Sequence, residues 1–280
     1  MNHSSSIASS ERNKEIYTSL DDRIIEKRLS SPYPIRKHAH DMQWLAFVDR
    51  VPAGATVLDA GCGPGVLSIM LAEKGCIVTG ADISEPNIEE AKKYAAMKGV
   101  GDRITFLTAD IESMPFPNKS FDYVVSSHVL EHVPDFEKGA QELARIARKE
   151  VIIAIPTCLS LGAAALLGRD RYWVLSRRSL TAVPHGIIRI LIALLTGEEG
   201  VNEGYEGRME LIHIWRFPWV GKKKIEAGGL NVTSYGCSAT IFPYFSFLLP
   251  LSRVLEKLAW LPFFRNFGHG TTYVCTPHAS

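Results

Sequence analysis

Short apolar runs alternate with amphipathic stretches between residues 57 and 155, and this alternation limits the fold more than any other feature of the chain. A strand, a crossover helix and a second strand build a parallel sheet, because the helix must return over the sheet before the next strand begins. We expect strands at residues 56–60, 76–81, 104–108, 121–126 and 151–155. Between them, apolar residues at helical spacing predict helices at 66–74, 85–98 and 135–148. The chain is therefore expected to be an α/β protein with a mostly parallel sheet.

The alternation breaks after the fifth predicted strand, where about 60 residues precede the next predicted helix, at 220–227, and strand, at 230–235. A connection of that length is expected to be an ordered insertion or lid. Within it, residues 187–195 are apolar nearly all round and are bounded by Pro184 and Gly197. This segment is far shorter than the roughly 20 residues that span a bilayer, and it is predicted to be a buried or substrate-facing helix.

A second insertion, residues 241–264, separates the strand at 230–235 from a last one at 271–275. Its second half predicts an amphipathic helix whose apolar face holds Leu251, Val254, Leu255, Leu258 and Ala259. Ahead of the core, a helix predicted at 38–51 follows turn-forming residues at 31–34. The chain divides into a flexible segment at 1–37, a core at 38–156, a lid at 157–217 and the rest of the core at 218–280.

Composition excludes several classes of protein. The 46% of hydrophobic residues in a chain of 280 allow one large core, and a net charge of +1, from 31 basic and 30 acidic side chains, gives no electropositive field for nucleic acid. The five cysteines form no C-x-x-C pair, which favours reduced thiols over disulfides or structural zinc. The N-terminal residues contain no apolar core of the signal-peptide type, so a cytoplasmic location is expected.

Residues 57–65, VLDAGCGPG, end the first predicted strand and open the first predicted helix. Glycines at such a turn let the backbone approach a ligand that larger residues would keep away, so the loop is suited to a nucleotide cofactor. A dinucleotide-binding loop has its third glycine one place later, where this chain has Val66. The spacing argues against an NAD-dependent oxidoreductase without excluding one.

The motif Asp59-Ala60-Gly61-Cys62-Gly63-Pro64-Gly65 resembles the first motif of the class I S-adenosylmethionine (SAM)-dependent methyltransferases. The resemblance implies a Rossmann-like methyltransferase fold with a mostly parallel, seven-stranded sheet and helices on both faces. The long connection after residue 156 adds a helical lid insertion to it. The resemblance also implies SAM as the cofactor and S-adenosylhomocysteine (SAH) as its product. In such a site Gly61, Cys62 and Gly63 face the amino acid part of SAM, and Asp59 orients this loop and the ammonium group of the ligand.

Acidic residues also follow the second and third predicted strands. Asp82 stands where a carboxylate can accept hydrogen bonds from both hydroxyls of a ribose, and Ile83 beside it is expected to pack on adenine. The segment with Asp110 and Ile111 resembles the adenine motif of the family, in which the acid accepts from the exocyclic amine and the next side chain packs against the ring. Together with Asp59, these acids follow three successive strands and predict one cofactor cleft.

Residues 121–132, FDYVVSSHVLEH, are similar to the fourth-strand segment of the small-molecule branch that includes quinone-biosynthesis methyltransferases. By that similarity Ser127 touches the methionine part of SAM and His128 faces the substrate. The sulfonium of SAM already activates its methyl group, so in-line displacement needs alignment of the acceptor and exclusion of water, and no metal. The candidate bases are His128, His185 and His213 for a hydroxyl acceptor, and Glu131 for a carbon acceptor.

Large apolar residues are concentrated in the two insertions, which predicts a hydrophobic small molecule as substrate: an isoprenoid, a polyketide, a quinone-like molecule or a lipid. Packing of the lid against the sheet explains the same residues, and the two interpretations are compatible. They are Leu166, Leu167, Tyr172, Trp173, Trp215, Trp219, Phe242, Tyr244, Phe245, Phe247, Trp260, Phe263 and Phe264. A basic cluster beside them consists of Arg169, Arg171, Arg177 and Arg178.

Three classes of function stay open: a small-molecule methyltransferase, which the motifs favour, a SAM-binding regulatory protein without catalysis, and an NAD-dependent oxidoreductase. The helix predicted at 38–51 is expected to cover the cofactor. The amphipathic helix of the second insertion permits peripheral membrane contact. The oligomeric state leaves no signal in the sequence.

Overall fold

The computed structural model describes residues 33–170, 173–203 and 212–278. In these ranges the strands are β1 (Thr56–Ala60), β2 (Ile77–Asp82), β3 (Ile104–Thr108), β4 (Phe121–Ser127), β5 (Ala147–Pro156), β6 (Gly200–Asn202), β7 (Ile214–Arg216), β8 (Leu230–Cys237) and β9 (Gly270–Pro277). The helices are α1 (Pro34–Val48), α2 (Val66–Glu73), α3 (Glu85–Met97), α4 (Phe136–Ile146), α5 (Leu161–Leu167), α6 (Ser179–Thr196), α7 (Pro218–Ala227) and α8 (Leu249–Glu256). Most of the segment predicted to be flexible, residues 1–32, lies outside the described residues, as do Arg171 and Tyr172.

Seven of these strands form one sheet in the order β3-β2-β1-β4-β5-β9-β8. β1 pairs in parallel with β2 on one side and with β4 on the other, so the strand order reverses there. β9 runs antiparallel between β5 and β8. At the point of reversal, the chain leaves β1 and β4 towards opposite faces, and a crevice opens between the carboxyl ends of these two strands. The predicted α/β class and the mostly parallel, seven-stranded sheet are confirmed.

Helices cover both faces of the sheet, because successive side chains of a strand point to opposite sides and both sets are apolar here. On one face, Leu71 of α2 and Phe47 of α1 join Val57 of β1 in a buried cluster. On the other face, Leu143 of α4 packs in a second cluster with Leu58, the next residue of β1. The crevice therefore lies at the edge of a rigid, two-sided core.

Local capping signals place the helix boundaries close to the predicted ones. α3 begins after Ser84, whose hydroxyl accepts a hydrogen bond from the backbone N–H of Asn87 at 3.5 Å. α4 begins after Asp135, whose carboxylate accepts from the N–H of Lys138 at 3.0 Å. α1 starts at Pro34, ahead of the predicted residue 38, because the N–H that proline lacks has no partner in the first turn of any helix.

The first insertion contains a hairpin of α5 and α6, followed by the antiparallel pair of β6 and β7. A Cβ atom at Gly186 of α6 would lie 1.9 Å from the carbonyl oxygen of Ala164 in α5, and one at Gly168 would lie 1.8 Å from the carbonyl oxygen of Ala182. The two helices therefore touch at their glycines. The inner side of the hairpin shares a buried apolar cluster with Trp215 of β7.

α6 is longer and more exposed than predicted. The helix predicted at 187–195, bounded by Pro184 and either buried or facing the substrate, has the wrong bounds, because it runs over Ser179–Thr196 and encloses that proline near its beginning. Small residues on one side face α5, and most large residues on the other side are exposed. By length and composition, α6 is the single helix in the described part of the chain that could cross a membrane, and 28% of it is buried.

The second insertion contributes one short helix, α8, which ends before the amphipathic stretch predicted there does. Leu251 and Val254, on its predicted apolar face, are exposed, whereas Ala259 beyond its end is buried. The predicted apolar face is thus mostly exposed within α8 and becomes buried only beyond the end of the helix. Peripheral membrane contact through this helix stays a prediction.

Candidate functional site

A cavity of about 370 Å³ lies at the carboxyl edge of the sheet, over the crevice between β1 and β4. Its wall contains all the residues predicted to bind the cofactor, which are Asp59, Gly61, Cys62, Gly63, Asp82, Ile83, Asp110, Ile111 and Ser127. The predicted catalytic residues His128, Glu131 and His213 line it as well. The fold therefore brings these twelve residues to one cavity, and the roles assigned to them stay predictions.

The loop after β1 passes through left-handed backbone, with φ angles of 78° at Gly61 and 51° at Gly63. The N–H groups of Gly61 and Cys62 donate to the carbonyl oxygen of Ala81 at 2.7 and 3.0 Å, which ties the loop to the end of β2. A Cβ atom at Gly61 would lie 2.2 Å from Cγ2 of Val129. Glycine is thus required at Gly61 both by the backbone angle and by the lack of space.

Asp82 ends β2 and holds the same loop from the other side. One carboxylate oxygen accepts from the N–H of Gly63 at 2.8 Å, and the other accepts from the N–H of Ser84 at 2.9 Å and from the amide of Asn87 at 3.3 Å. Burial raises the pKa of Asp82, and these hydrogen bonds act in the opposite direction. The carboxylate is therefore fixed in direction at the wall of the cavity.

Asp59 is buried beneath the glycine loop, where its carboxylate accepts a hydrogen bond from the hydroxyl of Ser68 in α2 at 2.6 Å. Burial raises the pKa of Asp59 to about 7, the hydrogen bond from Ser68 lowers it, and the negative charge of Asp82 raises it. Two neighbouring carboxyl groups with little water around them favour a cation as their partner. This end of the cavity is suited to a positively charged ligand.

Asp110 and Ile111 form the turn after β3. The carboxylate of Asp110 accepts from the N–H of Glu112 at 2.9 Å, which sets the direction of the turn. Ile111 is buried, Ile83 is half-buried, and both side chains line the cavity. Ile83 and Ile111 thus offer an apolar surface for a flat ring, next to the carboxylate of Asp110, which can accept hydrogen bonds from the polar groups of that ring.

His128 follows β4 directly and has left-handed backbone, with a φ of 58° that is uncommon for a residue other than glycine. Its N–H donates to the carbonyl oxygen of Ala154 at 2.9 Å, which continues the pairing of β4 with β5. The ring Nδ1 lies 3.1 Å from Oε1 of Glu131. The ring Nε2 is buried and has no hydrogen-bond partner among the described residues.

Glu131 is completely buried among histidines. Besides the contact with His128, its Oε1 lies 3.9 Å from Nε2 of His132. Burial alone would raise the pKa of Glu131, but the hydrogen bond from His128 and the charges of His128, His132 and His213 outweigh it, and the pKa is lowered. Glu131 is therefore a carboxylate near neutral pH, able to orient an imidazole and to stabilise its cationic form.

Glu131, His132 and His213 each place one potential metal-ligand atom within 4.8 Å of the others. The two imidazole rings stack with centroids 4.5 Å apart. Nδ1 of His132 lies 3.3 Å from the carbonyl oxygen of Ile212, and Nδ1 of His213 lies 3.4 Å from the carboxylate of Glu203. The donor types suit a divalent cation, yet these contacts also form a polar network within the protein. The expectation that the reaction needs no metal stays a prediction.

Sequence reasoning missed His40, Gln43 and Trp44 of α1 as part of the wall. The helix that was expected to cover the cofactor reaches the cavity through these residues, which lie three and one positions apart along the helix. Its amphipathic spacing could have identified them. The spacing does not indicate where the helix lies on the sheet, and the position of the helix decides which of its residues reach the cavity.

His269, in the connection before β9, is a second residue that sequence reasoning missed. It is half-buried, and the rings of Trp173 and Trp215 lie at 5.3 and 5.2 Å from it, edge to face. Burial lowers the pKa of His269 to about 3, and the charges of His128 and His40 lower it too. This imidazole is therefore neutral near neutral pH. The only signal nearby is the pair of glycines that flank it.

Several predicted contributors lie away from the cavity. His185 is exposed on α6 and does not line the cavity, so its selection as a candidate base is wrong. Among the described members of the large apolar set in the insertions, Trp215 alone lines this cavity. Packing within the lid and exposure at the surface account for the others. Arg169, Arg177 and Arg178 are exposed at one end of the α5–α6 hairpin.

Comparison with known proteins relates the glycine loop and the following strands to one family. Residues 58–155 match a family model described as a methyltransferase domain. A ubiquinone biosynthesis O-methyltransferase of Coxiella burnetii is 39% identical over 95 residues, which are 34% of this chain and 40% of that protein. A sterol 24-C-methyltransferase of Pneumocystis carinii is 32% identical over 115 residues, 41% of this chain and 30% of that protein. The chain thus spans less than half the length of these curated relatives.

Solved structures are similar over almost the whole chain, and one of them contains bound SAM. It is the crystal structure of magnesium protoporphyrin IX methyltransferase (ChlM) from Synechocystis PCC 6803 with bound SAM, at a TM-score of 0.54 and 17% identity. The similarity covers 96% of this chain and 97% of that one. At this level of identity it shows a shared fold.

Proposed function

We propose that this chain transfers the methyl group of SAM to a hydrophobic small molecule, since residues 58–155 match a family model described as a methyltransferase domain. The observation that carries the proposal is the meeting of twelve expected cofactor and acceptor residues around one cavity. That cavity lies where the strand order reverses, which is where open sheets of this kind bind nucleotide ligands.

The residues of the cavity fit SAM in size, charge and shape. A volume of about 370 Å³ is within the range of small-molecule sites. Asp82 and Asp110 place carboxylates after two paired strands, which suits ribose hydroxyls and an exocyclic amine. Asp59 adds an acid for a cationic ligand, and the bare backbone at Gly61 and Gly63 leaves room for it.

SAM supplies, when bound, a methyl group that its sulfonium charge has already activated. The tasks left to the protein are to align the acceptor and, for a hydroxyl acceptor, to remove its proton. His128 suits the second task, because Glu131 holds one ring nitrogen at 3.1 Å and the other nitrogen is buried without a protein partner among the described residues. Glu131 acts as a positioning residue that orients the ring and stabilises its cationic form. His213, stacked on His132, is a second candidate for contact with the acceptor.

A hydrophobic acceptor is supported by the surroundings of His128. Val129, Val133 and Trp215 contribute apolar wall, and burial keeps His269 neutral because it lowers the pKa of this residue to about 3. The imidazole of His269 therefore carries no positive charge near neutral pH that could bind an anionic acceptor. The relatives named for ubiquinone biosynthesis and for a sterol suggest, within the predicted class, an isoprenoid, quinone-like or lipid molecule.

Calorimetric titration of the purified chain with SAH tests the cofactor, with NAD as the competing ligand. We expect SAH to bind and NAD to give no heat of binding. Asp82→Asn keeps the shape of the side chain and removes its charge, and should weaken SAH binding by about 10- to 100-fold, the loss of charge-assisted hydrogen bonds. Asp102→Asn, at an exposed position outside the cavity, is the matched control and should bind as the unaltered chain does. Binding of NAD without SAH would indicate an oxidoreductase instead.

Catalysis is tested with a labelled methyl donor and a lipid extract, followed by mass spectrometry. A gain of one methyl mass on an isoprenoid, a quinone-like molecule or a lipid supports the proposal. Transfer only to RNA or protein would refute the hydrophobic acceptor. Binding of SAH with no transfer to any of these classes would favour a regulatory SAM-binding protein.

A further inference from the structure

The side of α6 that faces away from α5 is an apolar surface, termed here the outer face. It consists of Leu180, Pro184, Ile187, Ile188, Leu191, Ile192, Leu194 and Leu195, all of them exposed. At 3.6 residues per turn these side chains occupy an arc of about 160°, and Thr181 is the one polar residue within it. Leu180 and Leu195, near the two ends of the helix, are 73% and 85% exposed. Soluble monomers rarely leave so large a contiguous apolar area uncovered.

The opposite side of α6 is held by the protein, which argues against a helix that spans a membrane. Gly186 packs directly on the backbone of Ala164. Arg189, in the middle of the helix, donates to the carbonyl oxygens of Leu167 and Asn202. Spanning would break these contacts and carry a guanidinium into hydrocarbon. The geometry suits a helix that lies in the plane of a membrane interface.

Positive charge stands at the beginning of the outer face. Arg177 and Arg178 precede α6, Arg169 follows α5, and all three are exposed. The single acid in the described part of the hairpin, Asp170, is buried and accepts a hydrogen bond from Ser179 at 2.6 Å. Guanidinium groups beside an apolar surface complement anionic lipid headgroups.

The second insertion extends this surface. Tyr244 and Val183 of α6 pack against one shared buried cluster, and the exposed rings of Phe245 and Phe247 lie just beyond Tyr244 along the chain. Aromatic rings favour the boundary between acyl chains and water. Two exposed apolar regions therefore adjoin the same buried cluster, which Val183 contacts near the end of α6 that carries the arginines.

We propose that the outer face of α6 docks the protein on an anionic phospholipid bilayer, with Arg169, Arg177 and Arg178 at the headgroups. This inference rests on the proposed function, because a hydrophobic acceptor gives the enzyme a reason to dock on a membrane. The inner side of α6 shares an apolar cluster with Trp215, and Trp215 lines the cavity. A hydrophobic acceptor dissolved in the bilayer would thus be separated from the reaction site by α6 and this apolar cluster.

Cosedimentation of the full chain with vesicles tests this docking. Vesicles of phosphatidylcholine alone are compared with vesicles that also contain phosphatidylglycerol. We expect the chain to sediment with the anionic vesicles and much less with the neutral ones. Leu180→Glu combined with Leu195→Glu should weaken binding by at least about tenfold, because charge then enters the acyl boundary. Arg177→Gln combined with Arg178→Gln should weaken binding to the anionic vesicles alone, by about tenfold.

Ile77→Glu combined with Met97→Glu is the matched control. These side chains are 62% and 82% exposed, at the start of β2 and the end of α3, on the edge of the sheet opposite the cavity. This pair should sediment as the unaltered chain does. An equal loss in the control pair, or failure of the unaltered chain to sediment with either vesicle, overturns the proposal. A dimer that the Leu180 and Leu195 substitutions dissociate, without vesicle binding, overturns it too, because a second copy then covers the face.

SAH binding is measured by calorimetry on the same samples, so that the two proposals fail separately. SAH binding without vesicle binding removes the docking proposal and leaves the methyltransferase. Vesicle binding without SAH binding removes the proposed activity and leaves the docking surface.

Discussion

His128 combines left-handed backbone with a hydrogen bond to a buried carboxylate, and the backbone decides which substitution is informative. Asparagine adopts this conformation more readily than most residues, so His128→Asn removes the imidazole with little disturbance of the turn. We expect turnover to fall by about 10²- to 10⁴-fold, the usual contribution of a general base, with the affinity for SAH unchanged. Single-turnover kinetics and calorimetry measure the two quantities. A parallel loss of SAH affinity would assign His128 to binding.

Asp59 makes the stability of the ligand-free chain depend on pH. Burial raises the pKa of Asp59 to about 7 in the folded protein, against an ordinary value of 3.8. The folded protein therefore keeps a proton that the unfolded chain releases, so the stability from this group is complete below pH 3.8 and is lost as the pH rises to about 7. Relative to Asp59→Asn, the unaltered chain should lose free energy of unfolding across this interval. Chemical denaturation at a series of pH values measures it, and parallel curves would contradict the raised pKa.

Alanine substitutions at Gly61 and Gly63 separate the cost of the backbone angle in the glycine loop from the cost of a steric clash. Both have positive φ, but only at Gly61 would a Cβ atom meet a neighbour, Val129, at 2.2 Å. Alanine costs about 1 to 2 kcal/mol at either position for the backbone, and overpacking adds about 1 to 3 kcal/mol at Gly61. Gly61→Ala should therefore lower the free energy of unfolding by that further amount relative to Gly63→Ala. Equal losses in urea denaturation would mean that Val129 moves aside.

At the scale of elements, the α5–α6 hairpin depends on small residues where its helices touch. Gly186→Ala would favour the helical state by about 1 kcal/mol in isolation. The added Cβ atom would lie 1.9 Å from a backbone carbonyl oxygen of Ala164, so one helix must move. We expect a net loss of about 2 kcal/mol in the free energy of unfolding, since overpacking against backbone outweighs the gain in propensity. A melting temperature equal to or above that of the unaltered chain would contradict the close packing of this hairpin.

Most elements of the parallel core could be predicted to within two residues, whereas those of the insertions could not. The exception is β5, which begins at Ala147, four residues ahead of the predicted strand. β1 has the predicted bounds because a short apolar run between turn signals leaves few alternatives. α6 was misjudged because a segment that is apolar all round shows no buried side, and Pro184 was taken as a boundary. β6 and β7, with three residues each, are too short to show any periodic pattern.

At the scale of the whole molecule, Tyr273 connects the antiparallel strand β9 to the helical layer. Its hydroxyl is fully buried and donates to the carbonyl oxygen of Pro218 at 2.8 Å. Tyr273→Phe leaves that buried oxygen without this partner and should lower the free energy of unfolding by about 1 to 3 kcal/mol. Tyr235→Phe is the control, because its hydroxyl bonds Asn266 in a half-buried contact and its removal costs less. Equal losses in urea denaturation would show that the bond to Pro218 has no special weight.

The cofactor side of the cavity could be predicted from sequence because each of its residues lies just after a strand. The carboxyl ends of parallel strands meet at one edge, so Asp59, Asp82 and Asp110 had to come together once the strands were known. The acceptor side could be predicted only in part. His128, Glu131 and His213 were expected there, whereas His269 reaches the cavity from a distant connection whose path no local pattern encodes. The substrate class therefore stays a proposal, whereas the fold does not.

The position of β9 has a consequence for the nascent chain. β9 lies between β5 and β8, although it follows both in sequence. Until residues 270–277 have left the ribosome, the apolar strand β5 has an open edge, and such edges readily pair with other chains. His269 enters the cavity only when this strand is in place. The wall of the cavity is therefore completed only after β5 and β8 have been synthesised, and until then the edge of β5 is open to pairing with other chains.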